Sequence, residues 1–193
     1  MIDLVLPLFL RVAGRGVVVF GAGSIATRKI AELVEAGAQV RVVSPDASDE
    51  VKALAAAGRV TWTARGYEKA DLDDAWLVVS ATDDAVVQRA IFDDAEARRL
   101  FVLAIDDPQH GSAMSGAVVR RPPFVIAISS SAEVPALTRL VREIIERALP
   151  EDRWIAAAKE LRARWKRDKT PMASRFGELL RDFARRGDDG RAN

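Results

Sequence analysis

The feature that most constrains this chain is the loop Gly21-Ala22-Gly23-Ser24-Ile25-Ala26, set between a short apolar run and an amphipathic one. The run before it, Gly16 to Gly21, is continuous, apolar and rich in valine. That composition predicts a strand buried on both faces of a parallel sheet. After the loop, Ser24 to Ala36 places Ile25, Ile30, Leu33 and Val34 for one apolar helical face, and Gly37 ends the helix. Each loop position then has a physical reason. Gly21 permits a tight turn, Gly23 lets bare backbone approach a diphosphate, and Ala26 lets the helix pack closely on the sheet. The amides of Ser24 and Ile25, at the positive end of the helix dipole, face the phosphates. The spacing alone is a weak signal, and its place in a first strand–helix unit makes it a strong one. The loop is therefore expected to hold the pyrophosphate of NAD or NADP, the alternative being a turn that merely connects two elements.

The pattern then repeats. Strands are predicted at Gln39–Val43, Val60–Ala64, Trp76–Ala81 and Phe101–Ile105, with helices at Ser48–Ala57 and Asp84–Arg98. Strands alternating with helices at this spacing imply parallel pairing and right-handed crossovers. The pattern changes after Asp107-Pro108. Two strands, Gly116–Arg120 and Phe124–Ser129, meet at Arg121-Pro122-Pro123, and a helix from Pro135 to Leu149 follows. One hairpin and one helix bury little core alone, so this piece is expected to pack on the first domain, on a second copy of itself, or on both. Arg153 to Arg186 reads as two amphipathic helices broken near Thr170-Pro171, and Gly187 to Asn193 as disordered. The expected fold class is α/β: a Rossmann-like parallel-sheet domain over residues 1–112, a small α+β dimerisation segment over 113–149, and a helical segment over 150–193.

Several residues are candidates for chemistry. Asp106 follows the fifth strand, at the carboxyl edge where such sheets bind ligands; it either acts as a general base beside a nicotinamide or caps the loop. Thr82 and Asp83, with Asp84, follow the fourth strand; they cap the next helix, line the cofactor groove, or do both. After the second strand the expected acidic residue is missing. Ser44, Pro45 and Asp46 stand there instead, and Arg41 within the strand is an uncertain partner for a 2′-phosphate. The sequence alone does not separate NAD from NADP. His110, the one histidine, is either a proton carrier or iron ligand, or a solvated loop residue. Ser129 and Ser130, with Ser131, bind an anion or cap the following helix. No metal cluster and no Ser-His-Asp arrangement is legible.

Composition excludes other classes. The 193 residues contain no cysteine, which removes thiol nucleophiles, thiolate metal sites and disulfides. A net charge of +1 gives no strong field toward nucleic acid or a membrane surface. No segment is apolar over a bilayer's width. The N-terminus, Met1 to Pro7, has no basic stretch and no small-residue cleavage site, so no signal peptide and a cytoplasmic location are expected.

The order of motifs resembles the precorrin-2 dehydrogenase family, the dehydrogenase/ferrochelatase module of sirohaem synthase. The resemblance rests on Pro7-Leu8-Phe9, the glycine loop followed by Arg28-Lys29, Glu35-Ala36-Gly37-Ala38, Ala81-Thr82-Asp83-Asp84, Ile105-Asp106-Asp107-Pro108, the run Pro135 to Glu143, and Leu161-Arg162-Ala163-Arg164. It implies NAD binding by the first domain, an intertwined homodimer through the middle segment, and C-terminal helices that help enclose a tetrapyrrole. The implied reaction removes a hydride and a proton from precorrin-2 to give sirohydrochlorin. Some members then insert Fe²⁺, which would be a substrate here. Asp106 falls on the family's essential aspartate. The implied cofactor contacts are Ser24, Ile25, Ser44, Pro45 and Asp46. Precorrin-2 is a polycarboxylate, and arginine recognises carboxylates with two parallel hydrogen bonds. Arg120, Arg121, Arg139 and Arg142 lie in or near the implied pocket, and Arg162, Arg164, Lys166 and Arg167 could serve as well.

The chain departs from the family at two places. Ser129 to Pro135 lacks the usual paired glycines and carries Glu133, and Ala113-Met114-Ser115-Gly116 replaces a Phe-Ile-x-Pro stretch. Both departures fall where a large anionic substrate would touch the protein. They keep open two other readings: a dinucleotide-binding regulatory module without redox activity, and a different small NAD(P)-dependent dehydrogenase on the same scaffold.

Overall fold

The computed structural model describes residues 5–105, 107–130, 134–149 and 152–189. The chain divides into two compact units, Met1–Gly116 and Ala117–Asn193.

The first unit is a five-stranded parallel sheet in the order β3-β2-β1-β4-β5. The strands are β1 (Gly16–Phe20), β2 (Gln39–Val43), β3 (Val60–Thr63), β4 (Leu77–Ser80) and β5 (Phe101–Ala104). The helices are α1 (Ser24–Glu35), α2 (Asp49–Ala56) and α3 (Ala85–Ala97). Every boundary lies within one residue of the one the sequence predicts. The alternation of side chains along a strand explains why β1 is apolar throughout. Val17 and Val19 point into a core shared with Ile30 and Leu33 of α1 and Val51 of α2. Val18 and Phe20 point into the opposite core, with Ile91 and Ala95 of α3 and Leu72. All three valines of β1 are fully buried.

The helix ends follow local chemistry. Gly37 sits at φ +79, where its amide bonds Val34 O at 3.1 Å and the Ala38 amide bonds Leu33 O at 3.0 Å. That left-handed residue closes α1 and turns the chain into β2. Asp84 starts α3 by accepting from the amides of Val86 and Val87, at 2.9 and 3.1 Å. A 3₁₀ turn over Lys69–Leu72, not foreseen in the sequence, is pinned by Asp71. That buried carboxylate accepts from Arg65 Nη1 and Nη2 at 2.8 and 2.6 Å and from the Glu68 amide at 2.9 Å. Beyond β5 a second 3₁₀ turn, Pro108–His110, leads into a segment that runs beside the edge strand. The amides of Ser112 and Ala113 both donate to Val102 O at 2.9 Å, and Ser112 Oγ accepts from the Val102 amide.

The chain winds β1–β2–β3 to one side and returns to place β4 and β5 on the other. The crevice between the carboxyl ends of β1 and β4 is therefore the topological switch point, where open α/β sheets bind ligands. The glycine loop occupies it.

The second unit holds an antiparallel hairpin, β6 (Ala117–Arg121) and β7 (Phe124–Ile128), joined through a cis Pro122–Pro123 peptide. Helix α4 (Pro135–Ala148) packs on the hairpin, and Arg121 Nη1 donates to Leu149 O at 3.2 Å. Helices α5 (Asp152–Arg167) and α6 (Met172–Asp189) pair with one another, with Trp154 against Phe183 at 4.8 Å between rings and Trp165 Nε1 donating to Glu178 at 2.7 Å. The break falls at Thr170-Pro171 as expected. The sequence predicts disorder from Gly187 onward, whereas α6 continues to Asp189. Extending an existing helix fixes one residue per hydrogen bond, so weak formers add to an end they would not nucleate. Residues 190–193 lie outside the described residues.

Candidate functional site

The glycine loop is clamped between two strand ends. Gly21 donates to Val43 O at 3.0 Å, and Ala81 donates to Phe20 O at 2.8 Å. Gly21 has φ +96, and a Cβ there would lie 2.3 Å from Ala81 O, so the position admits only glycine without rearrangement. The loop carbonyls are taken by protein donors. Ala22 O accepts from the Ser48 amide at 3.1 Å, and Gly23 O accepts from the Thr27 amide and Thr27 Oγ1, both at 2.9 Å. Thr27 Oγ1 also meets Ser48 Oγ at 2.8 Å, which joins the starts of α1 and α2.

What the loop leaves available is amides. The first N–H groups of a helix have no acceptor within it. No side chain caps α1 at Gly23, and its first turn carries no acidic residue. The positive end of its dipole is thus uncompensated. A Cβ on Gly23 would meet nothing within 4 Å. Gly23, Ser24 and Ile25 are exposed, while Ala22 and Ala26 are core residues at 3% and 2% exposure. Bare backbone, free amides and open space fit a diphosphate, and the two alanines serve by letting α1 sit against the sheet.

The stretch after β2 lies beside this loop, through the Gly21–Val43 and Ala22–Ser48 hydrogen bonds. Ser44 is buried, and its carbonyl accepts from Trp62 Nε1 at 3.1 Å. Pro45 and Asp46 are exposed. Asp46 Oδ1 accepts from the Ala47 amide at 2.7 Å and meets Lys52 Nζ at 3.1 Å. The Ala47 amide first, and then Lys52, hold this carboxyl below its ordinary range. Arg41 instead donates Nη2 to Asp71 O and Asp73 O, at 3.1 and 2.6 Å, bracing the 3₁₀ turn.

After β4, Thr82 Oγ1 accepts from the Asp84 amide at 3.3 Å, so Thr82 and Asp84 both order the start of α3, and Asp83 is exposed. After β5, Asp106 lies outside the described residues. Its neighbour Asp107 meets His110 Nδ1 at 2.6 Å and accepts from the Gln109 amide at 3.2 Å. The His110 contact is the main reason that the Asp107 carboxyl titrates lower than usual. The His110 ring also rests edge-on against Phe92, 5.8 Å between centroids, and is about one quarter exposed. The histidine is therefore packed and oriented, with Nδ1 toward the carboxylate.

The substrate candidates lie in the second unit. Arg120, Ser129 and Ser130 are exposed, and Arg121 is half-buried on Leu149 O. Arg139 pairs with Glu143 at 3.0 Å and Arg142 with Glu146 at 2.8 Å, each along α4. Ser131 and Glu133 lie outside the described residues. Of the tail cations, Arg164 reaches Glu178 at 3.4 Å, and Arg167 meets Asp168 at 3.3 Å. Arg162 and Lys159 edge an apolar cavity of about 330 Å³ between Phe124, Trp154, Leu179 and Phe183.

One arrangement was not legible in the sequence. Lys29 Nζ meets Glu32 Oε2 at 2.6 Å and donates to Ser115 Oγ at 2.9 Å, across a cavity of about 310 Å³ between α1 and the end of β5. The spacing of Lys29 and Glu32 hints at their pairing, but nothing local links them to Ser115.

Comparison with known proteins agrees with this geometry. Residues 8–117 match the model of the NAD_binding_7 family, described as NAD(P)-binding. The chain is 38% identical over 198 residues to siroheme synthase 1 of Aeromonas salmonicida (strain A449), covering 97% of this chain and 42% of that protein. It is 45% identical over 145 residues to siroheme synthase 1 of Cronobacter sakazakii (strain ATCC BAA-894), covering 75% of this chain and 31% of that protein. It thus spans less than half the length of these relatives. Among solved structures it is similar to SirC, a precorrin-2 dehydrogenase, with a TM-score of 0.73 and 25% identity over 92% of this chain and 88% of that one. Through the match over residues 8–117, which takes in the clamped glycine loop and the whole parallel sheet, the chain belongs to the NAD(P)-binding family.

Proposed function

We propose that this protein is an NAD-dependent dehydrogenase that converts precorrin-2 to sirohydrochlorin. The observation that carries the reading is the uncapped start of α1 over Gly23, within a chain similar along nearly its whole length to a precorrin-2 dehydrogenase. The amides of Ser24 and Ile25 hold the diphosphate. Ser44, Pro45 and Asp46 line the adenosine side, and Thr82 and Asp83 line the groove beyond β4. Asp46 favours NAD over NADP, because a carboxylate held ionised accepts from ribose hydroxyls and repels a 2′-phosphate.

The bound dinucleotide supplies the ring that accepts a hydride. Asp106, next in sequence after Ile105 at the end of β5, takes the accompanying proton on its carboxylate. One C–H bond gives its electron pair away as hydride, a neighbouring bond to hydrogen gives a proton, and a double bond forms in the macrocycle. Arg120, Arg121, Ser129, Ser130, Arg139 and Arg142 bind the tetrapyrrole. The exposed apolar residues Leu137, Leu140 and Ile144 of α4 form the centre of a homodimer interface. The protein works in the cytoplasm. Fe²⁺ is a second substrate, inserted into sirohydrochlorin to give sirohaem.

The test is incubation with precorrin-2 and NAD⁺, following the sirohydrochlorin absorbance, with wild type and Asp106→Asn. Wild type is expected to form product. The variant is expected to lose at least a hundredfold in kcat while binding NADH normally, since positioned proton transfer is worth about 10²–10⁴ in rate. Full turnover by Asp106→Asn removes the assigned base, and no turnover by wild type removes the reading.

A further inference from the structure

The cavity between α1 and the end of β5 has a chemistry that dinucleotide binding does not use. Its polar lining is Arg28, Lys29 and Glu32 of α1 together with Ser115, and Ile25 and Ile105 supply its apolar edge. Arg28 is exposed and makes no hydrogen bond or ion pair with any other described residue. Lys29 is the opposite. Its side chain is 18% exposed and is held by Glu32 and Ser115. The three charges sum to one net positive charge. Glu32 offsets Lys29, and Arg28 is left over, facing open space of about 310 Å³.

Position gives this charge a purpose. Arg28 lies four residues into α1 from Ser24, about 6 Å along the helix from the amides that meet the diphosphate. Ile105 is the residue before Asp106. The cavity is thus flanked by the cofactor's anchor on one side and by the strand that carries the acid on the other. A dinucleotide's phosphates are served by the helix amides, so the unpaired guanidinium is available to another anion. A planar guanidinium with a neighbouring ammonium and a hydroxyl matches a carboxylate, which takes two parallel N–H bonds and a third donor.

We propose that this cavity is a subsite for one acidic side chain of the substrate, with Arg28 as the carboxylate's main partner and Lys29 and Ser115 completing its shell. The proposal rests on the reading of the protein as a dehydrogenase of a polycarboxylate tetrapyrrole. It assigns substrate recognition to the sheet unit. By anchoring an acid arm of the macrocycle beside α1, the subsite fixes which edge of the ring faces the cofactor.

The test uses the full chain with Arg28→Glu and Ser115→Asp. The second variant gives Lys29 a new carboxylate partner at the cavity wall without touching the exposed arginine. Sirohydrochlorin binding is measured by fluorescence quenching, NADH binding by calorimetry, and precorrin-2 turnover by absorbance. Both variants are expected to weaken sirohydrochlorin binding and raise KM for precorrin-2 at least tenfold, with NADH affinity within twofold of wild type. Arg28→Lys is expected to recover part of the loss. Tetrapyrrole affinity within twofold of wild type in Arg28→Glu overturns the subsite, and so does an equal loss of NADH affinity. Wild type that turns over precorrin-2 alongside an unaffected Arg28→Glu leaves the dehydrogenase reading standing and the subsite refuted. Wild type that binds sirohydrochlorin through Arg28 without oxidising precorrin-2 refutes the dehydrogenase reading and keeps the subsite. Wild type that binds neither refutes both.

Discussion

Two substitutions in the same loop should move stability and binding in opposite directions. Gly23 is the N-cap of α1, with extended backbone at φ −74 and ψ −174, and space for a Cβ. Aspartate suits that geometry and accepts from the free amides of the first turn. Replacing glycine with such a cap is worth a few tenths of a kcal/mol, and a negative charge at the dipole's positive end adds about 0.3–1 kcal/mol. Gly23→Asp should therefore raise the melting temperature of the unliganded protein by roughly 1–6 °C, at about 2–4 °C per kcal/mol for a chain of this size. The same carboxylate takes the amides that a diphosphate needs. A repulsion of about 1 kcal/mol at the aqueous limit for charges 4 Å apart, with one lost charged hydrogen bond of about 1.5–3 kcal/mol, weakens NADH binding by close to a hundredfold or more. Gly21→Ala should move stability the other way. Its positive φ costs roughly 1–2 kcal/mol. Its Cβ, 2.3 Å from Ala81 O, presses on backbone that is itself bonded to β1, and overpacking of that kind costs about 1–3 kcal/mol. The melting temperature should fall by roughly 4–20 °C. Thermal melts without ligand and calorimetric titration with NADH read both effects. NADH affinity within threefold of wild type in Gly23→Asp would refute the assignment of the diphosphate to this helix start. A Gly21→Ala protein that melts with wild type would refute the clamped-loop geometry.

Two further outcomes follow from the packing. Asp71 is buried, and the Arg65 guanidinium is the main cause of its lowered pKa. A carboxylate whose folded pKa lies below its unfolded value of 3.8 contributes stability that is fully present at neutral pH and is lost as pH falls below about 4. Asp71→Asn should melt lower than wild type at pH 7, by the equivalent of about 1–3 kcal/mol, and the gap should close toward pH 3. A gap independent of pH would contradict this. On α4, Leu140 and Ile144 are 53% and 55% exposed, an apolar stripe that a monomer would leave in water. Wild type is expected to be a dimer by light scattering and Leu140→Asp with Ile144→Asp a monomer; a wild-type monomer at micromolar concentration would refute the interface.

Period and punctuation in the sequence determined the elements of this protein. The valine run of β1 has no polar position to expose, so it can only be a strand covered on both sides. The left-handed turn at Gly37 and the Asp84 cap end and begin helices through contacts within a few residues, which is why their boundaries are legible. The loop from Gly21 to Ala26 is legible for the same reason, since its geometry depends on backbone freedom and small size at fixed offsets. What tertiary structure decided is every relation between residues far apart in the chain. On sequence grounds Arg41 is an uncertain partner for a 2′-phosphate, and the packing of the Lys69–Leu72 turn gives it the Asp71 and Asp73 carbonyls instead. His110 could stand in water, and it packs edge-on against Phe92 and beside Asp107 instead. Lys29 and Ser115 are separated by 86 residues and meet only because the chain beyond β5 turns back along that strand. Local hydrogen bonds and side-chain periodicity are short-range and are written in neighbouring residues. A pocket is made by surfaces that the chain brings together through strand order, and strand order is settled by the burial of the whole sheet.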